Sequence, residues 1–150
     1  MNIEELVDRF RARANAHTDI ETFDFGSLSK INVNRQKKYP VVILTVPTST
    51  PKPFHTNANE AIYEEYNITF HVFKLWKDAD KKLISLESIY AKIESIGDSY
   101  LRDILQQTTN EYGLIGDKSV VKSRGRFQET GIDPIIGVSW NFTLRVYNCL

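Results

Sequence analysis

Tyr66-Asn-Ile-Thr-Phe-His-Val72 alternates apolar and polar residues without a break, and Ile136-Gly-Val-Ser-Trp-Asn-Phe-Thr-Leu-Arg-Val146 repeats the pattern. In both stretches the even-numbered residues are apolar. A period of two predicts strands that bury one face and expose the other. The face that carries Asn67, Thr69 and His71 is therefore predicted to be polar and exposed.

Between these strands lies a long stretch with one apolar face. Its apolar residues recur at helical spacing from Leu83 to Leu105, which predicts a helix over Asp80–Gln106 with N-cap candidates at Asp78 and Asp80. Gly97 interrupts the stripe and predicts a bend or break. The core is expected between this stripe and the even-numbered face of strand 136–146.

The other elements are shorter or less regular. Residues 2–16 have helical spacing of apolar residues, 20–25 form a short strand, and 41–46 are apolar on both faces, as in a central strand. A strand over 61–76 would span roughly 50 Å, so it bends or projects beyond the body. Strands over 119–128 and 135–148 complete the order α-β-β-β-α-β-β. This order predicts a single α+β domain over residues 1–150, with a mainly antiparallel sheet and helix on one face.

Residues 47–60 are predicted to be an extended loop. Proline donates no backbone hydrogen bond, and Pro47, Pro51 and Pro53 all fall in this segment. Loops of this length are usually functional or disordered. Phe54 and His55 follow the last of these prolines. We expect Pro51, Pro53, Phe54 and His55 to form a subunit interface, or else a tether onto the body of the same chain.

Composition sets bounds on function. Nineteen basic residues balance nineteen acidic ones, which gives no whole-molecule argument for nucleic-acid binding. The single cysteine, Cys149, cannot form an internal disulfide, which favours a reducing compartment. The first residues are acidic and no long apolar run follows, which disfavours secretion and membrane spanning.

No catalytic, cofactor or metal motif is recognised. The histidines at 17, 55 and 71 lack metal-ligand spacing, and the sole thiol lies one residue from the end of the sequence. Glycine-rich phosphate loops are absent. We expect no enzymatic activity.

Lys122, Arg124 and Arg126 would share one face of a regular strand. Two interpretations stay open. Neighbouring acidic residues could offset a solvated basic face, or the stripe could line a channel that carries DNA and contact its phosphates.

The element order resembles that of the tail-terminator and tail-completion proteins of tailed bacteriophages, including their neck-ring relatives. The features that carry the resemblance are the helix Ile3–Ala14, the strand Tyr39–Val46 with its proline-rich continuation, the long strand Tyr63–Trp76, the helix Asp80–Gln106 and the strand Ile136–Tyr147. The resemblance covers the whole chain and lies in the order and character of the elements.

The resemblance implies a non-enzymatic structural protein of the virion. It would form a homo-oligomeric ring of six or twelve copies around the DNA channel of the neck or tail, after assembly in the host cytoplasm. Its implied partners are portal, neck or tail-tube proteins and packaged DNA, with no membrane and no cofactor. A monomeric adaptor and a small ligand-binding or enzymatic α+β domain remain the alternatives. A deep pocket with converging polar groups and a perturbed pKa would favour the latter.

Overall fold

The computed structural model describes residues 3–26, 38–56, 59–76, 85–111, 121–129 and 134–148. Two helices and six strands lie within these ranges. In chain order they are α1 (Ile3–Ala16), β1 (Thr22–Phe25), β2 (Val41–Leu44), β3 (Thr48–Thr56), β4 (Asn59–Leu75), α2 (Leu86–Glu111), β5 (Val121–Glu129) and β6 (Ile135–Asn148).

The strands form one six-stranded sheet. Its order is β1-β2-β4-β6-β5, and β3 pairs with β4 beside β2. The β1–β2 pair is parallel and the other pairs are antiparallel. The predicted α+β class and mainly antiparallel sheet are confirmed, and β2 is an interior strand as its two apolar faces indicated.

The core lies where it was predicted, between the even-numbered face of β6 and the apolar stripe of α2. We call this side of the sheet the first face. Trp140 and Phe142 from β6 are fully buried there with Ile93 and Tyr100 from α2. Phe70 from β4 stacks on Trp140, with 5.1 Å between the ring centroids and 9° between their planes. The Tyr100 hydroxyl donates to the Phe10 carbonyl at 2.8 Å and so joins α2 to α1.

The structure contradicts the predicted start of α2 and a break at Gly97. The described helix begins at Leu86, because Ser85 is the N-cap: its Oγ accepts from the Ser88 amide at 3.2 Å. The earlier candidates Asp78 and Asp80 lie outside the described residues. The helix also continues through Gly97 without a break. A Cβ at Gly97 would lie 2.0 Å from the Trp140 side chain, so this glycine provides room for the indole.

The prediction of a loop over residues 47–60 is also wrong. Residues 48–56 form β3, which pairs with β4 from Thr48↔Asn67 to Thr56↔Asn59. The prolines suggested a loop because a central strand needs every amide donor. On the outer side of an edge strand no donor is required, so prolines are tolerated there.

The opposite side of the sheet, the second face, is not uniformly polar. Val41, Ile43, Phe73 and Ile135 are buried there and form a second apolar cluster. His71, predicted to be exposed, is only 6% exposed beside them. The polar–apolar alternation of β4 ends at Phe73, and the apolar second face of β2 lies beside His71 and Phe73 in the register.

Candidate assembly surface and charged network

Three strands, β3, β4 and β6, make up one end of the sheet. β4 has 17 residues and spans ~56 Å, whereas the 26 residues of α2 span ~39 Å. We call β3, the β4 segment 59–65 and the β6 segment 145–148 the arm. Among the described residues, β3 packs along β4 and has no contact of comparable extent with either helix. The predicted long strand is therefore confirmed.

A bulge separates the arm from the body. Leu44 pairs with Phe70 and Thr48 pairs with Asn67. Between these pairs, the three residues 45–47 lie opposite only two residues of β4, 68 and 69. The amide and the hydroxyl of Thr45 both donate to the Thr69 carbonyl at 3.0 Å. The extra residue shifts the alternation by one position. Even-numbered residues of β2 lie on the first face, whereas in β3 the odd-numbered residues lie there, opposite even-numbered residues of β4.

The predicted interface residues are divided between the two faces of the arm. Pro51, Pro53 and His55 occupy register positions on the first face, opposite Glu64, Ile62 and Glu60. Phe54 occupies a position on the second face. The two prolines lie two residues apart, so their nitrogens are directed to the same side of the strand. No described strand pairs with the outer edge of β3, so proline nitrogens directed to that edge remove no hydrogen bond between strands.

Three acidic residues of α2 bind two arginines of β5. Arg124 Nη1 lies 2.7 Å from Asp98 Oδ2, and its Nη2 lies 3.6 Å from Glu94 Oε2. Arg126 Nε donates to Glu94 Oε1 at 2.7 Å and its Nη1 to Glu87 Oε2 at 2.9 Å. The spacing of seven and four residues places the acids along one side of the helix. Because α2 passes over β5, this charged network connects the helix to the edge strand.

The network shifts the pKa values of two of its members, Glu94 and Arg126. A hydrogen bond from Arg126 lowers the pKa of the Glu94 carboxyl, and hydrogen bonds to Glu94 and Glu87 raise the pKa of Arg126. The Arg126 guanidinium also lies 5.0 Å from the centroid of the Tyr90 ring. Burial raises the pKa of the Tyr90 hydroxyl, which donates to the Phe127 carbonyl at 3.1 Å. These shifts favour the charged ion pairs and create no proton donor or acceptor near neutral pH.

The predicted basic stripe is not one continuous face. A bulge between Val121 and Ser123 places Lys122 outside the regular alternation, whereas Arg124 and Arg126 share the first face with the α2 acids. Of the two interpretations left open, these ion pairs favour the one in which neighbouring acids offset the arginines. The sequence of β5 alone does not reveal these acidic partners. A usable signal was the helical spacing of three acids on α2, Glu87, Glu94 and Asp98.

A half-open cleft of about 500 Å³ lies beside the turn after α1. Ile93 and Ile96 of α2 contribute apolar surface, and Asp19, Lys74 and Lys92 contribute charges of both signs. His71, the group whose pKa burial lowers to about 4, is not among its lining residues. The cleft and the perturbed histidine therefore do not form one site.

His71 is instead part of the sheet itself. Its Nδ1 lies 2.6 Å from Ser139 Oγ, and its ring meets Phe127 edge-on with 5.8 Å between centroids. Its Nε2 is buried and has no hydrogen-bond partner among the described residues. An unpaired buried nitrogen makes protonation costly, which accounts for the direction of the pKa shift.

Two structural patterns, a cluster of metal-ligand side chains and a membrane-spanning helix, are absent from the described part of the chain. No group of three or more His, Cys, Asp or Glu residues there is arranged to hold a metal ion. No described helix is long and apolar enough to cross a membrane.

Comparison with known proteins assigns no family. No protein-family model matches the chain, and no curated protein sequence is significantly similar to it. The candidate function therefore depends on the architecture and the side-chain chemistry described above.

Proposed function

We propose that this protein is a non-enzymatic structural subunit of a tailed-bacteriophage virion, which assembles into a ring at the neck or tail around the DNA channel. The arm is the single observation that carries the proposal. The resemblance in element order, from α1 through the long β4 to β6, provides the family context.

The arm is difficult to explain in a protein that acts as a monomer. Among the described residues, β3 has no extensive contact with either helix, and strands that lack packing against a helix or an apolar face are marginally stable in water. The arm nevertheless includes nine residues of β3 paired along their whole length with β4. Contact with a neighbouring subunit would supply the missing burial. A repeated contact between different surfaces generates a closed ring when the rotation closes.

The charges of the described residues fit a structural role. Arg124 and Arg126 are bound to acids of their own chain, and no cofactor or metal is part of the proposal. The expected partners are further copies of this chain and the portal, neck or tail-tube proteins above and below the ring. Packaged DNA would pass through the channel, and any contact with the ring would be to its phosphates and not to its bases. Assembly would take place in the host cytoplasm before incorporation into the virion.

Measurement of the mass of the purified protein by native mass spectrometry, with negative-stain electron microscopy, tests the proposal. A single closed species of six or twelve copies is the expected result. A protein that stays monomeric at every concentration, alone and with neck proteins, would overturn the proposal and favour the adaptor or ligand-binding alternatives.

A further inference from the structure

Lys74 is a cation in a row of buried apolar residues. On the first face, Val72 precedes it in β4 and is fully buried, and Trp76 follows it just past the strand and is 7% exposed. The alternation of β4 predicts an apolar side chain at position 74. Lys74 is instead half-buried, and its ammonium has no hydrogen bond or ion pair within the part of the chain that the structure describes. A partly desolvated charge without a counter-ion is unfavourable, and a group from outside the chain can supply the missing negative charge.

The cleft of about 500 Å³ beside the turn after α1 gives Lys74 access to such a group. Clefts of roughly 300–1,000 Å³ hold small molecules. Tyr39, Pro40 and Leu75 line the cleft and are half-buried, so they give it an apolar wall. The Tyr39 ring meets Phe73 edge-on, with 6.0 Å between the ring centroids. The second apolar cluster therefore fixes this wall in place.

A carboxylate lies across Pro40 from Lys74. The Glu21 amide donates to the Pro40 carbonyl at 3.0 Å, and the register continues from Pro40 to Lys74. Neighbouring strands are ~4.8 Å apart, so the Cα atoms of Glu21 and Lys74 are about 10 Å apart. Asp19, two residues before Glu21, also lines the cleft. Neither carboxylate has an ion pair among the described residues.

We propose that the cleft binds a short peptide with apolar side chains through its two free termini. The terminal carboxylate would pair with Lys74, the terminal ammonium with Glu21 or Asp19, and the side chains would cover the apolar wall. Lys92 of α2 adds a second cation to the cleft. An extended tripeptide spans ~10 Å, which matches the separation of the two charged sides. This inference goes beyond the ring proposal and does not depend on it.

Two smaller ligands fit the cleft less well. A free amino acid has both charges on one carbon and would reach only one side at a time. A simple anion would pair with Lys74 and would leave both carboxylates without a partner. A zwitterion with separated charges and an apolar body uses every feature of the cleft.

Isothermal titration calorimetry with the tripeptide Ala-Leu-Ala tests the inference. Lys74→Gln should weaken binding on the order of tenfold or more, because a contact between two charged groups is lost. The C-terminally amidated peptide should lose a similar factor against the wild type but little more against Lys74→Gln, since both changes remove the same contact. Lys38→Gln is the matched control, because Lys38 is exposed and is not among the described lining residues. It should bind the peptide like the wild type.

The N-acetylated peptide tests the acidic side of the cleft in the same way. Acetylation should weaken binding to the wild type, and it should have little effect on binding to Asp19→Asn/Glu21→Gln. Equal binding of the acetylated and the unmodified peptide to the wild type would overturn the proposal in favour of a simple anion site.

Circular dichroism of each variant checks that it is folded. If Lys74→Gln loses the native spectrum, Lys74→Met replaces it. This variant restores the apolar row, so it should be at least as stable in urea as the wild type and should bind the peptide weakly. A folded Lys74→Met variant of lower stability would show that the lysine serves the fold, which contradicts the proposal.

The binding and assembly measurements fail independently of each other. Absence of Ala-Leu-Ala binding at millimolar concentration, or binding that neither Lys74→Gln nor amidation weakens, would overturn this inference and leave the ring proposal intact. Failure of the wild type to form rings would overturn the ring proposal, and peptide binding that depends on Lys74 would still support the inference.

Discussion

Trp140 on β6 donates its indole N–H to Asp98 on α2, with 2.9 Å between Nε1 and Oδ1. The other carboxylate oxygen of Asp98 binds Arg124, so one residue joins the buried core to the charged network on the surface. The buried indole needs this partner, because an unsatisfied N–H in a core is destabilising. This contact and the close approach of Gly97 together set the distance between α2 and the sheet.

Gly97→Ala should destabilise the protein, although alanine favours helices. The added Cβ would lie 2.0 Å from the fully buried Trp140 ring, and overpacking of this kind costs about 1–3 kcal/mol. Urea denaturation gives the free energy of unfolding. Ser95→Ala, at an exposed position of the same helix, is the control and should be neutral or stabilising. In a Trp140→Phe background the cost of Gly97→Ala should fall, and an equal cost in both backgrounds would contradict this steric explanation.

Trp140→Ala should lower the free energy of unfolding by about 3–5 kcal/mol. It removes a fully buried aromatic side chain and leaves the Asp98 carboxylate without its indole hydrogen bond. Asn141→Ala, at the next residue on the exposed side, should stay within about 0.5 kcal/mol of the wild type. Thermal and urea denaturation compare the two. Similar losses at both positions would refute the assignment of the faces.

His71 should make the fold sensitive to acid. Its folded-state pKa of about 4 lies below the ordinary value of 6.5, because burial disfavours the charged ring. The folded state therefore binds the proton less well than the unfolded state. Stability from this group is fully present above pH 6.5 and is lost as the pH falls toward 4, with a loss of about 2 kcal/mol by pH 5.

Urea titrations at pH 7.5 and pH 5 measure this loss. His71→Phe keeps a planar ring and has no proton to bind, so its stability should change less between the two pH values. If the variant shows the same loss as the wild type, His71 is not the cause. Stability that does not decrease at pH 5 in the wild type would contradict the burial of an unpaired Nε2.

Arg124→Gln/Arg126→Gln should weaken the attachment of β5 to α2 without disrupting the core. Both arginine side chains are 41% exposed, and solvent screens ion pairs of this kind. The loss of stability should therefore be smaller than for Trp140→Ala and should shrink at high salt. Hydrogen exchange of the β5 amides is the direct measurement, with faster exchange expected in the variant.

The same variant tests the remaining DNA interpretation of the stripe. Because both arginines bind acids of their own chain, rings of the variant should form, and particles containing them should retain DNA normally. Loss of DNA from assembled particles, with Lys122 unchanged, would mean that the arginines contact phosphates despite their ion pairs.

Pro51→Thr/Pro53→Val should make the protein prone to aggregation. These substitutions restore two amide donors on the outer side of β3, and residues of high strand propensity replace the prolines. Light scattering during storage should rise faster than for the wild type, with increased thioflavin fluorescence. A double substitution that leaves both signals unchanged would indicate that the prolines do not protect this edge.

The sequence by itself determined the elements whose pattern is local. The period of two in residues 66–72 and 136–146 predicted β4, β6 and the buried position of Trp140, and the helical stripe predicted the core contact with α2. These predictions succeeded because a half-buried strand or helix must repeat its apolar residues at its own geometric period. The α+β class follows from the order of those patterns alone.

Only the tertiary structure decided what depends on a distant partner. Residues 48–56 form a strand because β4 offers an edge on one side and the prolines need no partner on the other. His71 is buried because β2 and β6 flank it in the sheet, although its own strand suggested an exposed face. Arg124 and Arg126 are paired because α2 passes over β5 and brings Glu87, Glu94 and Asp98 within hydrogen-bond distance. The helical spacing of the three acids is a signal on α2 alone. It does not name their partners, because each of these contacts joins residues that are far apart in the chain and adjacent only after folding.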